Sequence, residues 1–428
     1  MVETILGTVL AICSLFLAFE KPRKMVISAY EFCRNNPNKL IKYNDTLTSK
    51  GFLKWQINAL LSIYSSKVVA FNNGRHFPVA IFEFDDSQAL CGDVNDKFQY
   101  LGKLSDESIT SHNPKTTATQ REYWNLINRT IHSKDQLGFY LKKLSLNSEG
   151  KMIGFDAGIC KYQDTVITNN FLLYEQYKAY ISGDTLNTGN WRLKLPQLAN
   201  VIGLNSLIGI CKPSNCFPLL SVQAIIVYKD YISSGCPWRF RFMVRSKSGA
   251  VSSYAGYKQI TPSGGFEFFG DSNNASFEEV KKHFNIVNAI YRETLEELFG
   301  HEEFQYGKNR IDKDDLQRQT EIQDLQASYS SAQSDISSNR NSGHGIHFLG
   351  TAVTLSAVRH HLSFLIIVDS PNYAKRSVTV GIESHSLESA NIADLDNEFL
   401  LSDLVTPDSV GLVLLLKKSG LLEKYGIH

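Results

Sequence analysis

Apolar and polar residues follow two spacings along this chain, and each spacing predicts one kind of secondary structure. Strand patterns, either alternating or short and continuously apolar, occur at residues 78–84, 152–159, 165–174, 221–231, 238–249, 346–355 and 360–370. Helical spacing occurs at residues 24–34, 53–65, 276–299, 312–329 and 409–422. These patterns predict an α+β fold whose cleanest strands follow residue 219.

The helical pattern at residues 276–299 has two distinct faces. Ser276 followed three residues later by Glu279 predicts a capping box at its start. At about 100° per residue, one side of the helix is apolar. That side contains Phe277, Val280, Phe284, Val287, Tyr291, Leu295 and Leu298. The opposite side presents Glu293, Glu296 and Glu297.

Three like charges on one helical face repel one another unless a cation lies between them. Carboxylate oxygens are hard ligands that suit Mg²⁺ or Mn²⁺, and such a metal can hold a pyrophosphate and activate water. Gly264 and Gly265 precede the helix, and glycine lets backbone N–H groups approach a phosphate closely. The alternative interpretation is a solvated acidic helix face without a ligand.

These residues resemble the Nudix box, in which glycine, five residues, glutamate and seven residues precede Arg-Glu-aliphatic-any-Glu-Glu-any-Gly. Gly265 and Asp271 match the first half, with Asp in place of Glu. Arg292 and the three glutamates match the second half in register. The chain departs from the family by an insertion at residues 272–284, by Thr294 at the aliphatic position and by Phe299 where glycine is expected.

The resemblance implies an α/β/α sandwich over residues 216–428, with a further insertion at residues 302–345. It implies that Glu293, Glu296 and Glu297 bind Mg²⁺ or Mn²⁺. It also implies that Glu296 and Glu297 take part in catalysis while Arg292 orients one of the glutamates. The activity would be that of a pyrophosphohydrolase, and the departures favour binding over efficient turnover.

The first 24 residues predict a membrane anchor. Residues 5–19 form an unbroken run of apolar or small residues, with Glu3 before it and Lys21, Arg23 and Lys24 after it. Basic residues after the run place the rest of the chain in the cytoplasm of a single-pass protein of the inner (plasma) membrane. A cleaved signal peptide and a buried helix are the alternatives. A stripe of small residues in this run suggests association into a homo-oligomer, although such residues are common in membrane helices.

Composition narrows the function further. The chain has 428 residues, 43% of them hydrophobic, and a formal net charge of +1, which argues against a nonspecific nucleic-acid binder but leaves local basic patches open. Its seven scattered cysteines form no zinc-ligand pattern. The predicted organisation is therefore an anchor at residues 1–24, a mixed α+β domain of unassigned role at 25–215, and the Nudix-like domain.

Three functional classes fit this organisation. The whole-chain order resembles the TM-Nudix effectors of bacterial cyclic-oligonucleotide antiphage systems (CBASS), which implies sensing of a cyclic oligonucleotide and damage to the membrane bilayer in abortive infection. The second class is a membrane-tethered Nudix hydrolase that cleaves a nucleoside diphosphate linked to another moiety. The third is a structural membrane adaptor with a solvated acidic face. The effector class is the prediction, because the altered box favours binding.

Overall fold

The computed structural model describes residues 37–85, 101–105, 116–128, 131, 135–183, 190–246, 254–301, 316, 318–326, 345–379 and 384–428. The strands are β1 Phe71–Asn72, β2 Arg75–His76, β3 Val79–Glu83, β4 Gly102–Leu104, β5 Leu137–Leu146, β6 Met152–Lys161, β7 Ser221–Lys229, β8 Trp238–Arg245, β9 Lys258–Ile260, β10 Ser263–Gly265, β11 Ile346–Thr354, β12 Arg359–Val368 and β13 Ser384–Asn391. The helices are α1 Pro37–Leu47, α2 Lys50–Tyr64, α3 Ala118–Ile127, α4 Tyr162–Thr165, α5 Phe171–Ile181, α6 Trp191–Lys194, α7 Pro196–Ile202, α8 Ser206–Cys211, α9 Phe277–Lys282, α10 Ile286–Phe299, α11 Pro371–Lys375, α12 Leu395–Phe399, α13 Pro407–Ser419 and α14 Leu421–Lys424. The fold is mixed α+β.

The largest sheet has the strand order β13-β8-β7-β12-β11-β3, with β9 paired to β8 and β10 paired to β7. Strands β12 and β7 run parallel, and the other pairs of this sheet are antiparallel. The central strand β7 is buried on both faces, which explains why its sequence reads as a nearly continuous apolar run.

A helix covers each face of this sheet. Val222, Ala224 and Ile226 of β7 pack in the core that contains α10. Ile225 and Val227 alternate with them and pack in the core that contains α13. This period of two places β7 between two helical layers, whereas the sandwich expected over residues 216–428 stays a prediction.

Strand β3 comes from the region before residue 216 and still belongs to this sheet. It forms the edge by pairing antiparallel with β11, with Ala80 opposite Val353 and Phe82 opposite Thr351. The domain boundary at residue 216 stays a prediction, but the sheet takes a strand from each side of it.

A second sheet with the order β4-β6-β5 joins the first through the segment that follows β10. Phe139 donates its backbone N–H to the carbonyl of Phe266 at 2.9 Å, and Phe268 donates to Leu137 at the same distance. Phe266 also donates to the carbonyl of Leu220, beside β7. Residues 266–268 therefore tie the two sheets together immediately after the glycine pair.

The strand predicted at residues 165–174 is wrong, because this segment is helical. It contains the end of α4, a π-helical turn at Val166–Asn170 and the start of α5. Phe171, Leu172, Leu173 and Tyr174 are all buried. A helix that is buried on every side has no polar face, so its sequence resembles a buried strand and periodicity cannot separate the two.

The single helix predicted at residues 276–299 is two helices. The capping box of Ser276 and Glu279 is confirmed at the start of α9. However, α9 ends before His283, and α10 begins after Asn285, whose side chain accepts from the N–H of Asn288 at 3.0 Å. Asparagine competes for backbone donors in this way, so it starts a new helix directly after the inserted residues 272–284.

The predicted single-pass topology is wrong as an account of this structure. No helix in the described ranges is long and apolar enough to cross a membrane. The proposed anchor at residues 1–24, with its stripe of small residues, lies outside those ranges. The fold class is corrected to mixed α+β with no membrane-spanning helix in the described ranges, and the inner-membrane localisation is withdrawn with it.

Glu175, in α5, is a buried carboxyl group whose ionisation makes the stability of the protein depend on pH. Its carboxylate accepts from the backbone N–H groups of Gln197 at 2.9 Å and Leu198 at 3.0 Å, in the first turn of α7. Burial outweighs these hydrogen bonds and raises the pKa of Glu175 to about 7. The folded protein therefore binds this proton more tightly than the unfolded chain does, and the resulting stability is lost as pH rises through about 7.

We expect Glu175→Gln to flatten the dependence of stability on pH between about 4.5 and 8. The shift corresponds to a contribution on the order of 3 kcal/mol that the wild type loses over this interval. The free energy of unfolding is measured by urea denaturation at several pH values. Glu278→Gln, at an exposed position of α9, is the matched control and should keep the wild-type slope. Equal slopes for Glu175→Gln and wild type would contradict the assignment.

Candidate active site

The glycine pair lies in β10, directly against α10. Gly264 is opposite Val222 of β7 and Gly265 is opposite Ser221. A Cβ atom at residue 264 would lie 2.0 Å from Cδ of Glu293. Only glycine lets this carboxyl group approach the strand so closely. The structure therefore brings both predicted glycines together with the predicted acidic helix.

Arg292 contacts both β10 and the acidic face of α10. Its Nη2 atom donates to the carbonyl of Gly265 at 2.8 Å and also binds the carboxylate of Glu293. Its Nη1 atom lies 3.5 Å from a carboxylate oxygen of Glu296, one helical turn away. The guanidinium carbon is 3.8 Å from the centre of the Phe269 ring. Arg292 thus holds two of the three predicted metal ligands and fastens them to β10.

The charged form of the Glu293 carboxyl group is disfavoured chiefly by burial. The residue is only 6% exposed. Burial raises the pKa of Glu293 well above its ordinary value, and this effect exceeds the opposing attraction of Arg292. The carboxylates of Glu296, Glu297 and Glu267 raise the pKa further. A second cation beside Glu293 would oppose this shift, because a positive charge favours the ionised carboxylate.

Glu297 forms hydrogen bonds with residues that come just before the glycine pair. Its Oε2 atom accepts from the hydroxyl of Thr261 at 2.6 Å and from the backbone N–H of Ser263 at 2.8 Å. These contacts hold the end of α10 against the start of β10. They also fix one oxygen of the carboxylate on the glycine side of the helix.

Glu267 is a member of the cluster that the sequence analysis missed. It lies between Phe266 and Phe268, which are both buried, and its carboxyl group would meet a Cβ placed on Gly265 at 2.5 Å. The alternation Phe-Glu-Phe after the glycines was the available signal, because it predicts a strand with one polar residue facing away from the core.

Asp271, the counterpart of the first Nudix glutamate, serves a local role. Its Oδ1 accepts from the N–H of Asn273 at 3.0 Å, and its Oδ2 accepts from the side-chain amide of Asn274 at 2.6 Å. These bonds are those of an Asx turn. Asp271 is not among the groups that shift the pKa of Glu293.

The residues of the cluster are of the types that bind a divalent metal, but they are not arranged as a metal site requires. The carboxylate oxygens of the cluster are the donors that Mg²⁺ and Mn²⁺ prefer, and Glu293 interacts electrostatically with three further acids and one arginine. However, across the ranges that the structure describes, no three His, Cys, Asp or Glu side chains converge as a metal site requires. Glu293 and Glu296 instead bind Arg292, and Glu297 binds Thr261 and Ser263.

Comparison with known proteins finds only partial similarity to solved structures. No family model matches the chain, and no curated protein matches it. Similar solved structures include a MutT/nudix family protein from Enterococcus faecalis, with 12% identity and a TM-score of 0.22 over 41% of this chain and 44% of that one. Another is the Nudix domain of Shewanella oneidensis NrtR complexed with ADP-ribose, with 11% identity and a TM-score of 0.25 over 47% and 88%.

A third is a C. elegans Ap4A hydrolase in a binary complex, with 13% identity and a TM-score of 0.22 over 48% of this chain and 98% of that one. The chain spans less than half of the Enterococcus protein. TM-scores this low do not establish a common fold, so the case for the site rests on its own geometry.

We expect Gly264→Ala to destabilise the protein more than Gly265→Ala. At residue 264 the added Cβ meets a buried carboxyl group that Arg292 holds in place. At residue 265 it meets the far end of the half-buried Glu267 side chain, which can move aside. Overpacking of the first kind costs about 1–3 kcal/mol. Urea denaturation of both variants measures the difference, and equal midpoints would show that Glu293 is free to retreat.

Proposed function

We propose that β10 and α10 form a metal-dependent site that hydrolyses a nucleoside diphosphate linked to another moiety. The supporting observation is the buried Glu293 carboxyl group, which lies against Gly264 among three further acids with Arg292 as the neighbouring cation. A phosphate would be repelled by this cluster unless a divalent cation bound first. Metal binding is therefore the condition for substrate binding.

Glu293, Glu296 and Glu297 would hold the Mg²⁺ or Mn²⁺ ion, which supplies charge neutralisation and an activated water. Arg292 would position Glu293 and Glu296 through its two terminal nitrogens. Glu296 and Glu297 are the residues we assign to proton transfer during catalysis. Thr261 and Ser263 would keep one oxygen of Glu297 in place through their hydrogen bonds.

Gly264 and Gly265 would receive the phosphates. Neither residue has a side chain, so a ligand can approach the backbone beside Glu293 and Glu267 as closely as those carboxyl groups do. Residues 266–268 connect this strand to the second sheet, so the phosphate-binding backbone is supported from both sides. Such rigid support favours a pre-organised site.

A second candidate is nucleotide sensing without turnover. The observation that favours it is the absence, within the described residues, of three convergent metal-ligand side chains. Arg292 engages two of the three carboxylates, so metal binding would require these contacts to rearrange. A cyclic oligonucleotide, as in the antiphage systems that the sequence resembles, is the ligand class for this alternative. The membrane-damaging step is not part of it.

The deciding experiment incubates the full chain with Mn²⁺ or Mg²⁺ and either ADP-ribose or a panel of cyclic oligonucleotides. We expect hydrolysis of the diphosphate, reduced by roughly 100-fold or more in Glu297→Gln because proton transfer is lost. Glu278→Gln is the matched control: it neutralises an exposed acid outside the site and should retain full activity. Stabilisation by a cyclic oligonucleotide without product would establish the sensing function, and neither product nor stabilisation would reject both.

Glu293→Gln should show whether Glu293 binds the metal, by comparing the variant's stability with and without Mn²⁺. Without metal, in EDTA, we expect its thermal midpoint to equal or exceed that of wild type, since a neutral amide avoids burying a carboxylate that burial already disfavours. With Mn²⁺, wild type should gain stability and the variant should not. A metal-induced shift of the same size in both proteins would remove Glu293 from the ligand set.

A further inference from the structure

Arg241 is a buried arginine far from the acidic cluster. It lies in the middle of β8 and is 6% exposed. Phe240 and Phe242, its neighbours along the strand, pack in the core on the α13 side of the sheet. Arg241 therefore projects from the α10 side. Its neighbour Tyr228 lies six residues along β7 from Val222, the partner of Gly264, which corresponds to roughly 20 Å.

Two tyrosine rings flank the Arg241 guanidinium. Its central carbon lies 4.7 Å from the centre of the Tyr228 ring and 5.3 Å from that of Tyr373, which belongs to α11. The two rings are 5.7 Å apart and meet edge to face. The rings attract the positive charge, but an aromatic face accepts none of the directional hydrogen bonds that guanidinium N–H groups donate.

The guanidinium has no acceptor among the residues that the structure describes. Its Nη1 atom is fully buried and has no hydrogen-bond partner. Arg239, two residues earlier on the same strand, is a contrast: it pairs with Asp230 at 3.3 Å and donates to the carbonyl of Ser389 at 3.1 Å. The terminal nitrogens of Arg239 are thus satisfied by nearby oxygens, whereas its Nε, like Nη1 of Arg241, is buried and has no partner among the described residues.

Tyr373 supplies a second unsatisfied group beside it. The residue is fully buried, and its hydroxyl has no partner in the described part of the chain. Burial raises the pKa of Tyr373 to about 12, and the charge of Arg241 opposes this rise, so the hydroxyl lies within electrostatic reach of the guanidinium. Two neighbouring buried donors that both lack an acceptor are uncommon in native proteins.

A buried charge without an ion pair or hydrogen bonds is strongly unfavourable, and ring stacking offsets little of that cost. A bound anion would satisfy both donors at once. A guanidinium fork binds two oxygens side by side, and the tyrosine hydroxyl can donate to a third. A phosphate group offers three such oxygens around one atom, whereas a carboxylate offers two.

We propose that Arg241 and Tyr373 form a binding site for a phosphate group, separate from the acidic cluster. The phosphate is either free or the terminal group of a phosphate ester. The site needs no metal, because the guanidinium itself supplies the positive charge. This property distinguishes it from the site at β10 and α10, where four acids require a cation.

The test measures the thermal midpoint of the full chain in EDTA, with inorganic phosphate or chloride at equal ionic strength. EDTA removes the divalent cations that the acidic cluster would need. We expect phosphate to raise the midpoint of wild type and to have a much smaller effect on Arg241→Met. Because phosphate stabilises many proteins nonspecifically, Arg239→Gln is the matched control and should respond as wild type does.

Two further variants keep the test decisive if Arg241→Met folds poorly. Arg241→Lys keeps the charge and loses the fork, and Tyr373→Phe loses the hydroxyl alone. Each should raise the apparent Kd for phosphate by roughly 5- to 10-fold, the effect of one hydrogen bond. AMP is the second probe: a larger shift with AMP than with inorganic phosphate identifies a phosphate ester as the ligand, and the reverse identifies free phosphate.

Two results would overturn the proposal. One is a wild-type midpoint that does not respond to millimolar phosphate or AMP beyond the chloride control. The other is a response that survives unchanged in the Arg241 variants and in Tyr373→Phe. The Arg241→Met protein in chloride adds an independent readout, since replacing an unpaired buried charge by an apolar side chain should preserve or raise its midpoint.

Discussion

The close approach of the Glu293 carboxyl group to the backbone of Gly264 is the contact on which the candidate site depends. It brings α10 within reach of β10, so that Arg292 can bind the carbonyl of Gly265 and Glu297 can bind Thr261 and Ser263. The contact buries Glu293, and burial disfavours the charged form of its carboxyl group. Packing and electrostatics therefore oppose each other at one carboxyl group, which is a common property of functional sites.

The position of β10 explains how the rest of the chain supports this contact. The strand pairs with β7 at the centre of the large sheet, and residues 266–268 continue directly into contacts with the second sheet. Both sheets and α10 thus share one stretch of backbone. The first 215 residues contribute β3 to the sheet and β5 to this junction, so they take part in building the site's surroundings.

Local signals predicted much of this arrangement. The alternation of apolar residues located β3, β6, β7, β8, β11 and β12 to within a few residues, and the apolar run at residues 409–422 contains most of α13. The glycine pair and the acidic face of α10 were likewise visible as spacing. Two of the errors have different causes: residues 165–174 are mostly buried and so show no polar face, whereas Asn285 caps a new helix and interrupts the predicted one.

The sequence by itself determined which residues can form the acidic face and where the glycines precede it, because helical and strand periods are properties of a few adjacent residues. Only the tertiary structure decided that Arg292 occupies two of the carboxylates, that Glu267 joins them and that Asp271 does not. It alone placed Arg241 between Tyr228 and Tyr373 without an acceptor. Burial and hydrogen-bond partners come from segments distant along the chain, and no local pattern records them.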